Sequence, residues 1–142
     1  FSMLLFDDLV RLFQKDDAII KFEALKNFYL AQKKDQSTFY ISSDTMIQIL
    51  NSDDWQEKLS FLSSRFEIDR FLLMRFSHNE IAEMMTMLKW NDKVQSLLKS
   101  SKRATDSDNN ILSAIQCGKI HTNELMRKLR RKNWRQLLRK YF

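Results

Sequence analysis

Residues 41–62, ISSDTMIQILNSDDWQEKLSFL, carry the pattern from which the rest of the chain is read. Shifted by 35 positions the pattern recurs without a gap as residues 76–97, FSHNEIAEMMTMLKWNDKVQSL, and after a further 44 as residues 120–141, IHTNELMRKLRRKNWRQLLRKY. Ile41, Asp44, Met46, Leu50, Trp55, Leu59 and Leu62 align with Phe76, Asn79, Ile81, Met85, Trp90, Val94 and Leu97, then with Ile120, Asn123, Leu125, Leu129, Trp134, Leu138 and Tyr141. The chain has three Trp, and all three fall in one register. Apolar residues three and four apart mark helices. Self-similarity at a fixed spacing marks a repeated unit that cannot bury its apolar face alone.

Each copy contains a break. Between Leu50 and Trp55 lies Asn51-Ser52-Asp53-Asp54, where Asp53 with Gln56 three residues on has capping-box spacing, so a helix is expected to stop and restart there. In the last copy Leu125, Met126 and Leu129 lie on one helical arc, while Trp134, Leu137, Leu138 and Tyr141 continue on an arc rotated by roughly 100°. A kink or tight turn over Arg131 to Asn133 resolves the mismatch, with one continuous helix as the alternative. A first copy lies 37 positions before residue 41: Leu4, Asp7, Leu9, Phe13, Ala18, Phe22 and Leu25, with Asp16 and Asp17 over Asp53 and Asp54, and Lys21 over Lys58. The spacing approaches that of tetratricopeptide and pentatricopeptide arrays, but their small-residue positions are not reproduced, so no family follows. Polar clusters at 33–38 and 100–108 are the expected loops, and Phe39-Tyr40-Ile41 reads as the approach to a helix.

Composition agrees with helices. The 142 residues include no Pro and one Gly, Gly118, so glycine-rich phosphate loops and nucleophile elbows have no material. No run of eighteen apolar residues and no leader pattern is present, and the lone Cys117 fits a reducing compartment, so a cytoplasmic protein is expected. The fold class expected is all-α: one domain, 1–142, a helical bundle of about four stacked helix-hairpin repeats (4–37, 38–75, 76–110, 111–142), α-solenoid-like, with basic C-terminal helices.

Charge is concentrated at one end. Residues 119–142 hold nine Lys or Arg against Glu124 alone, a net of +8, whereas the preceding 118 residues carry a net of −2. Such a face suits a phosphate backbone, DNA or RNA, or an acidic protein partner; an anionic membrane surface is the least favoured. The candidate binding residues are Lys119, Asn123, Arg127, Lys128, Arg130, Arg131, Lys132, Arg135, Arg139 and Lys140. Five of the nine bases are Arg, whose planar fork pairs with phosphate or carboxylate in bidentate fashion. A solvated end cap would instead mix signs. Residues 111–129 also have the order of a helix-turn-helix, an apolar helix, the turn Cys117-Gly118-Lys119, and a second helix opened by Thr122 or Asn123.

The remaining chemistry-bearing residues favour packing. Trp55 and Trp90 share a register with core Leu and Val and are expected in the core, whereas Trp134 is expected partly exposed beside the basic face. Met85 belongs to the core pattern, while Met84 and Met87, with Trp134, are candidates for a partner groove in an alternative role as a protein adaptor. His78 and His121 stand at helix starts without a second ligand at metal spacing, so no metal and no cofactor is expected. Cys117 lacks a specified base or oxyanion site, and the pairs Asp7-Asp8, Asp16-Asp17 and Asp53-Asp54 suit first helical turns. A non-enzymatic binding protein is expected.

Overall fold

The computed structural model describes residues 18–34, 41–102 and 110–141. Among them are nine α-helices and no strand. None of these helices is long and apolar enough to cross a membrane. The chain divides into two compact units, Phe1–Ser63 and Ser64–Phe142.

The first unit contains α1 (Ala18–Lys34), α2 (Ser43–Leu50) and α3 (Trp55–Ser63). Ser42 starts α2, its hydroxyl oxygen accepting the Thr45 N–H at 3.3 Å, which satisfies one of the donors a helix start leaves open. Met46, Ile47, Ile49 and Leu50 are buried on the inward arc of α2. The helix stops at Asn51 and the chain restarts at Trp55, as the polar run at 51–54 foretells. The residue that opens α3 is Asp54 rather than the expected Asp53: its carbonyl accepts the Lys58 N–H at 3.2 Å and its carboxylate pairs with Lys58 Nζ at 3.1 Å. Leu25, Phe28, Ile41 and Leu62 are buried as well, and Phe28 meets Tyr29 edge to face at 5.6 Å.

The second unit contains α4 (Arg65–Leu73), α5 (His78–Met85), α6 (Trp90–Ser101), α7 (Ile111–Gln116), α8 (Thr122–Leu129) and α9 (Trp134–Leu137). A full capping box opens α5: the Glu80 N–H reaches Ser77 Oγ at 3.1 Å, and the Ser77 N–H reaches Glu80 Oε1 at 2.9 Å. Two helices close in Schellman geometry. After α4, Phe76 N–H bonds to Phe71 O and Arg75 N–H to Leu72 O, with Arg75 at φ 67°; after α7, Lys119 N–H bonds to Ala114 O and Gly118 N–H to Ile115 O, with Gly118 at φ 77°. Helix α8 ends at Leu129 and Trp134 begins α9, its N–H held by Arg131 O at 3.2 Å, so the last copy breaks in a tight turn rather than running on as one helix.

The expected loops need adjustment. Lys33 and Lys34 belong to α1, and Ser100 and Ser101 are buried in the last turn of α6. Both hydroxyls are used inside: Ser100 Oγ accepts the Ile111 N–H at 3.1 Å, and Ser101 Oγ donates to Leu98 O at 2.8 Å while Arg70 donates to Ser101 Oγ and O. Serine composition suggested a loop, but satisfied hydroxyls fit a helix end well. Residues 35–40 and 103–109, and the first copy's Leu4 to Phe13 with the acid pairs at 7–8 and 16–17, lie outside the described residues.

Candidate nucleic-acid interface

Trp55, Trp90 and Trp134 each occupy the first residue of a helix, and all three are buried. Trp134 is only 5% exposed, which corrects the expectation of a half-open indole. A ring at a helix start points back over the preceding turn, into the space between paired helices. Two of the rings are met by a lysine of another helix. In the first unit Lys21 Nζ of α1 lies 6.0 Å from the Trp55 ring; in the second, Lys93 Nζ of α6 lies 5.7 Å from the Trp134 ring. Lys21, Lys58 and Lys93 stand three residues after Ala18, Trp55 and Trp90, and all three are buried. An ammonium over an indole face recovers part of the hydration it gave up.

The two units differ in what accompanies those lysines. Lys58 is neutralised by Asp54, four residues earlier. Four residues before Lys93 stands Lys89, a like charge, and Lys89 has a left-handed backbone, φ 56° and ψ 40°. Among the described residues Lys93 has no acid partner, and burial lowers its pKa from the usual lysine value.

Lys93 lines a groove of about 280 Å³ with Leu88, Lys89, Arg130, Arg131, Lys132 and Trp134. Two turns build it: residues 86–89 between α5 and α6, and residues 130–133 between α8 and α9. Arg130 is balanced by Glu83 at 3.4 Å. Lys89, Lys93, Arg131 and Lys132 have no ion pair among the described residues. Leu88, 83% exposed, forms an apolar edge beside these cations.

The expected binding residues are distributed around this groove. Arg130, Arg131, Lys132 and Trp134 line it. Arg135 stacks its guanidinium 4.6 Å from the Trp134 ring and reaches Asp92 at 3.7 Å, just outside. Arg127 is exposed on α8, and Lys128 is half-buried and paired with Glu124 at 3.4 Å. Asn123 is exposed, its Oδ1 accepting the Glu124 N–H. Lys119, Arg139 and Lys140 are exposed beyond the lining, Lys140 being 5.9 Å from the Tyr141 ring. The helix-turn-helix order is present as α7, the Gly118 turn and α8.

Lys89 and Lys93 were not among the expected binding residues. The signal for Lys93 is its sequence register with Lys21 and Lys58. Of the methionines expected to line a partner groove, Met84 is fully buried in the α5 core arc and Met87 is half-buried. Met84 shares the helical arc of Ile81 and Met85, so packing claims it. His78 opens α5 half-buried, with its pKa lowered by burial, and His121 is exposed before α8. Cys117 is exposed. Among the described residues no three His, Cys, Asp or Glu gather as a metal site.

The first unit has a groove of its own, about 340 Å³, lined by Ile20, Ala24, Phe28, Trp55 and Leu59 with Asn27, Gln56 and serines at its margins, and without a charged residue. No protein-family model, curated protein or solved structure matches the chain.

Proposed function

We propose that this is a non-enzymatic, cytoplasmic binding protein of helix-hairpin repeats whose basic C-terminal helices contact nucleic acid. The observation that carries the reading is the groove between the 86–89 and 130–133 turns, where four cations with no ion pair among the described residues converge on one concave surface. Protein surfaces normally intersperse the signs of charge, and an uncompensated cluster invites an anionic ligand. Arg127, Arg135, Arg139 and Lys140 extend positive charge beyond the groove, which suits a repeating phosphate chain more than a single small anion. Trp134, buried under Lys93 and Arg135, is unsuited to stacking on a base, so the contact is to the backbone and sequence discrimination is small. The repeat reading draws support from the shared Trp position and from the lysine of one hairpin lying over the Trp of the next within each unit.

Fluorescence anisotropy of labelled single- and double-stranded oligonucleotides tests the reading. Wild-type binding that weakens with salt, and is lost by at least tenfold in Arg127→Glu/Arg131→Glu/Arg135→Glu, is the expected result. Binding unchanged by those reversals refutes it.

A second reading, a protein adaptor, rests on the uncharged groove at Trp55, which the exposed Ile20 lines. Recovery of a stable protein partner whose binding is abolished by Ile20→Asp, with no oligonucleotide binding, would favour it.

A further inference from the structure

Resting on the nucleic-acid reading, we infer that the groove around Lys93 is a receptor for a terminal phosphate monoester, the phosphorylated end of a strand, rather than for an internal phosphodiester. The residue before the Trp and the residue three after it form a pair: Asp54 with Lys58 in one copy, Lys89 with Lys93 in the next. In the first pair the carboxylate supplies the negative charge that a buried ammonium requires. In the second the corresponding position supplies another cation, and among the described residues no acid answers Lys93, which leaves the place open to an external anion.

The charge sets the kind of phosphate. Four cations in the groove have no ion pair among the described residues, and an internal phosphodiester brings a single negative charge. A phosphate monoester brings about 1.5 to 2 charges at neutral pH and three free oxygens. Its oxygens can be shared among Lys93 at the floor and Lys89, Arg131 and Lys132 around it, with the fork of Arg131 suited to two of them.

Access points the same way. Lys93 is 4% exposed, so its ammonium meets only a group that enters the groove, and a phosphate flanked by sugars on both sides is held at the rim. At about 280 Å³ the groove falls just below the roughly 300–1,000 Å³ of pockets for drug-sized ligands, a size suited to a phosphate and part of its sugar. The exposed Leu88 provides an apolar surface for the rest of the terminal nucleotide.

The test compares the full chain's affinity for one oligonucleotide ended by hydroxyls with the same strand phosphorylated at its 5′ or 3′ end, by anisotropy at fixed salt. Thermal melts with inorganic phosphate and with a nucleoside monophosphate run alongside. A preference of at least tenfold for one phosphorylated end, reduced to under twofold in Lys89→Asp and in Lys93→Met, is expected. Lys89→Asp recreates the Asp54–Lys58 pairing, so the variant should fold at least as well as wild type and separate loss of binding from loss of structure. Equal affinity for phosphorylated and hydroxyl ends overturns the inference and leaves the nucleic-acid reading standing. A melting shift with phosphate or the monophosphate, abolished by Lys89→Asp, with no oligonucleotide bound at all, upholds the monoester site and overturns the strand as its source. No response to any of these probes overturns both.

Discussion

Trp55 and Trp134 occupy one sequence register, begin helices of their respective units, and lie under a buried lysine from another helix, yet one borders an uncharged groove and the other a strongly basic one. The indole and the ammonium are therefore parts of the packing, common to both units. What differs is the turn. Asn51-Ser52-Asp53-Asp54 supplies acids at the first helix break; Thr86-Met87-Leu88-Lys89 and Arg130-Arg131-Lys132-Asn133 supply cations at the later ones. Turn residues are exposed and contribute little to the core, so their charge can change while the helix pair persists. The packed scaffold and the basic groove are therefore written in different residues, the one in helix starts and the other in turns.

The largest expected effect tests the shared part. Trp55→Ala and Trp134→Ala should each destabilise by about 3 kcal/mol or more, as truncation of a buried Trp does, measured by urea unfolding. A Trp134→Ala cost near zero would break the equivalence of the two sites. Next comes the charge at the turn. Asp54→Lys should destabilise by about 1 to 2 kcal/mol, between an exposed and a buried pair, because Lys58 then loses its acid. If Asp54→Lys costs nothing, the pairing argument that separates the units is wrong.

The backbone before the Trp gives a smaller effect with an opposite sign. Lys89 has a positive φ that favours glycine, so Lys89→Gly should stabilise by about 1 kcal/mol while weakening anion binding. Greater stability with unchanged binding would remove Lys89 from the site.

The pH dependence sharpens the contrast with the smallest expected change. Burial pushes the Tyr29 hydroxyl up from 10.0 to about 12, so the folded state keeps a proton that the unfolded chain loses, and stability falls as pH rises through that interval. Lys93 is shifted the other way. Its folded pKa lies below 10.5, the unfolded chain holds the proton longer, and stability rises as pH climbs through the folded value towards 10.5. Urea titrations of Tyr29→Phe and Lys93→Met should each remove one of these trends, the decline above pH 10 and the rise below 10.5 respectively; a variant that leaves its trend intact contradicts the corresponding assignment.

Much of the helical framework was legible in sequence. The Trp register and the polar run at 51–54 located the helix breaks, because periodicity and capping are local properties of the chain. The rotated apolar arcs of 125–141 likewise foretold the turn at 130–133. The groove was legible only in part. Arg130, Arg131 and Lys132 stand out by charge, but Lys93 reads as one more solvated lysine until the packing of neighbouring hairpins is known, since a long aliphatic stem can be buried without an apolar signature. Met84 and Trp134 failed for a related reason: a helical pattern gives the arc on which a side chain lies, while the neighbouring hairpin decides whether that arc is covered. Ser100 and Ser101 read as loop because their hydroxyls find partners only in the folded chain.

In the proposed function the turn charges, and not the Trp scaffold, make the second unit a receptor for polyanions. The most direct measurement is the salt dependence of oligonucleotide binding for wild type and for Arg131→Glu/Lys132→Glu, with helix content followed by circular dichroism. The account expects log affinity to fall linearly with log salt for wild type, by about 0.7 to 0.9 per phosphate contacted, and affinity to be lost in a variant that retains wild-type helicity. Salt-independent binding, or wild-type affinity in the reversed turn, would contradict it.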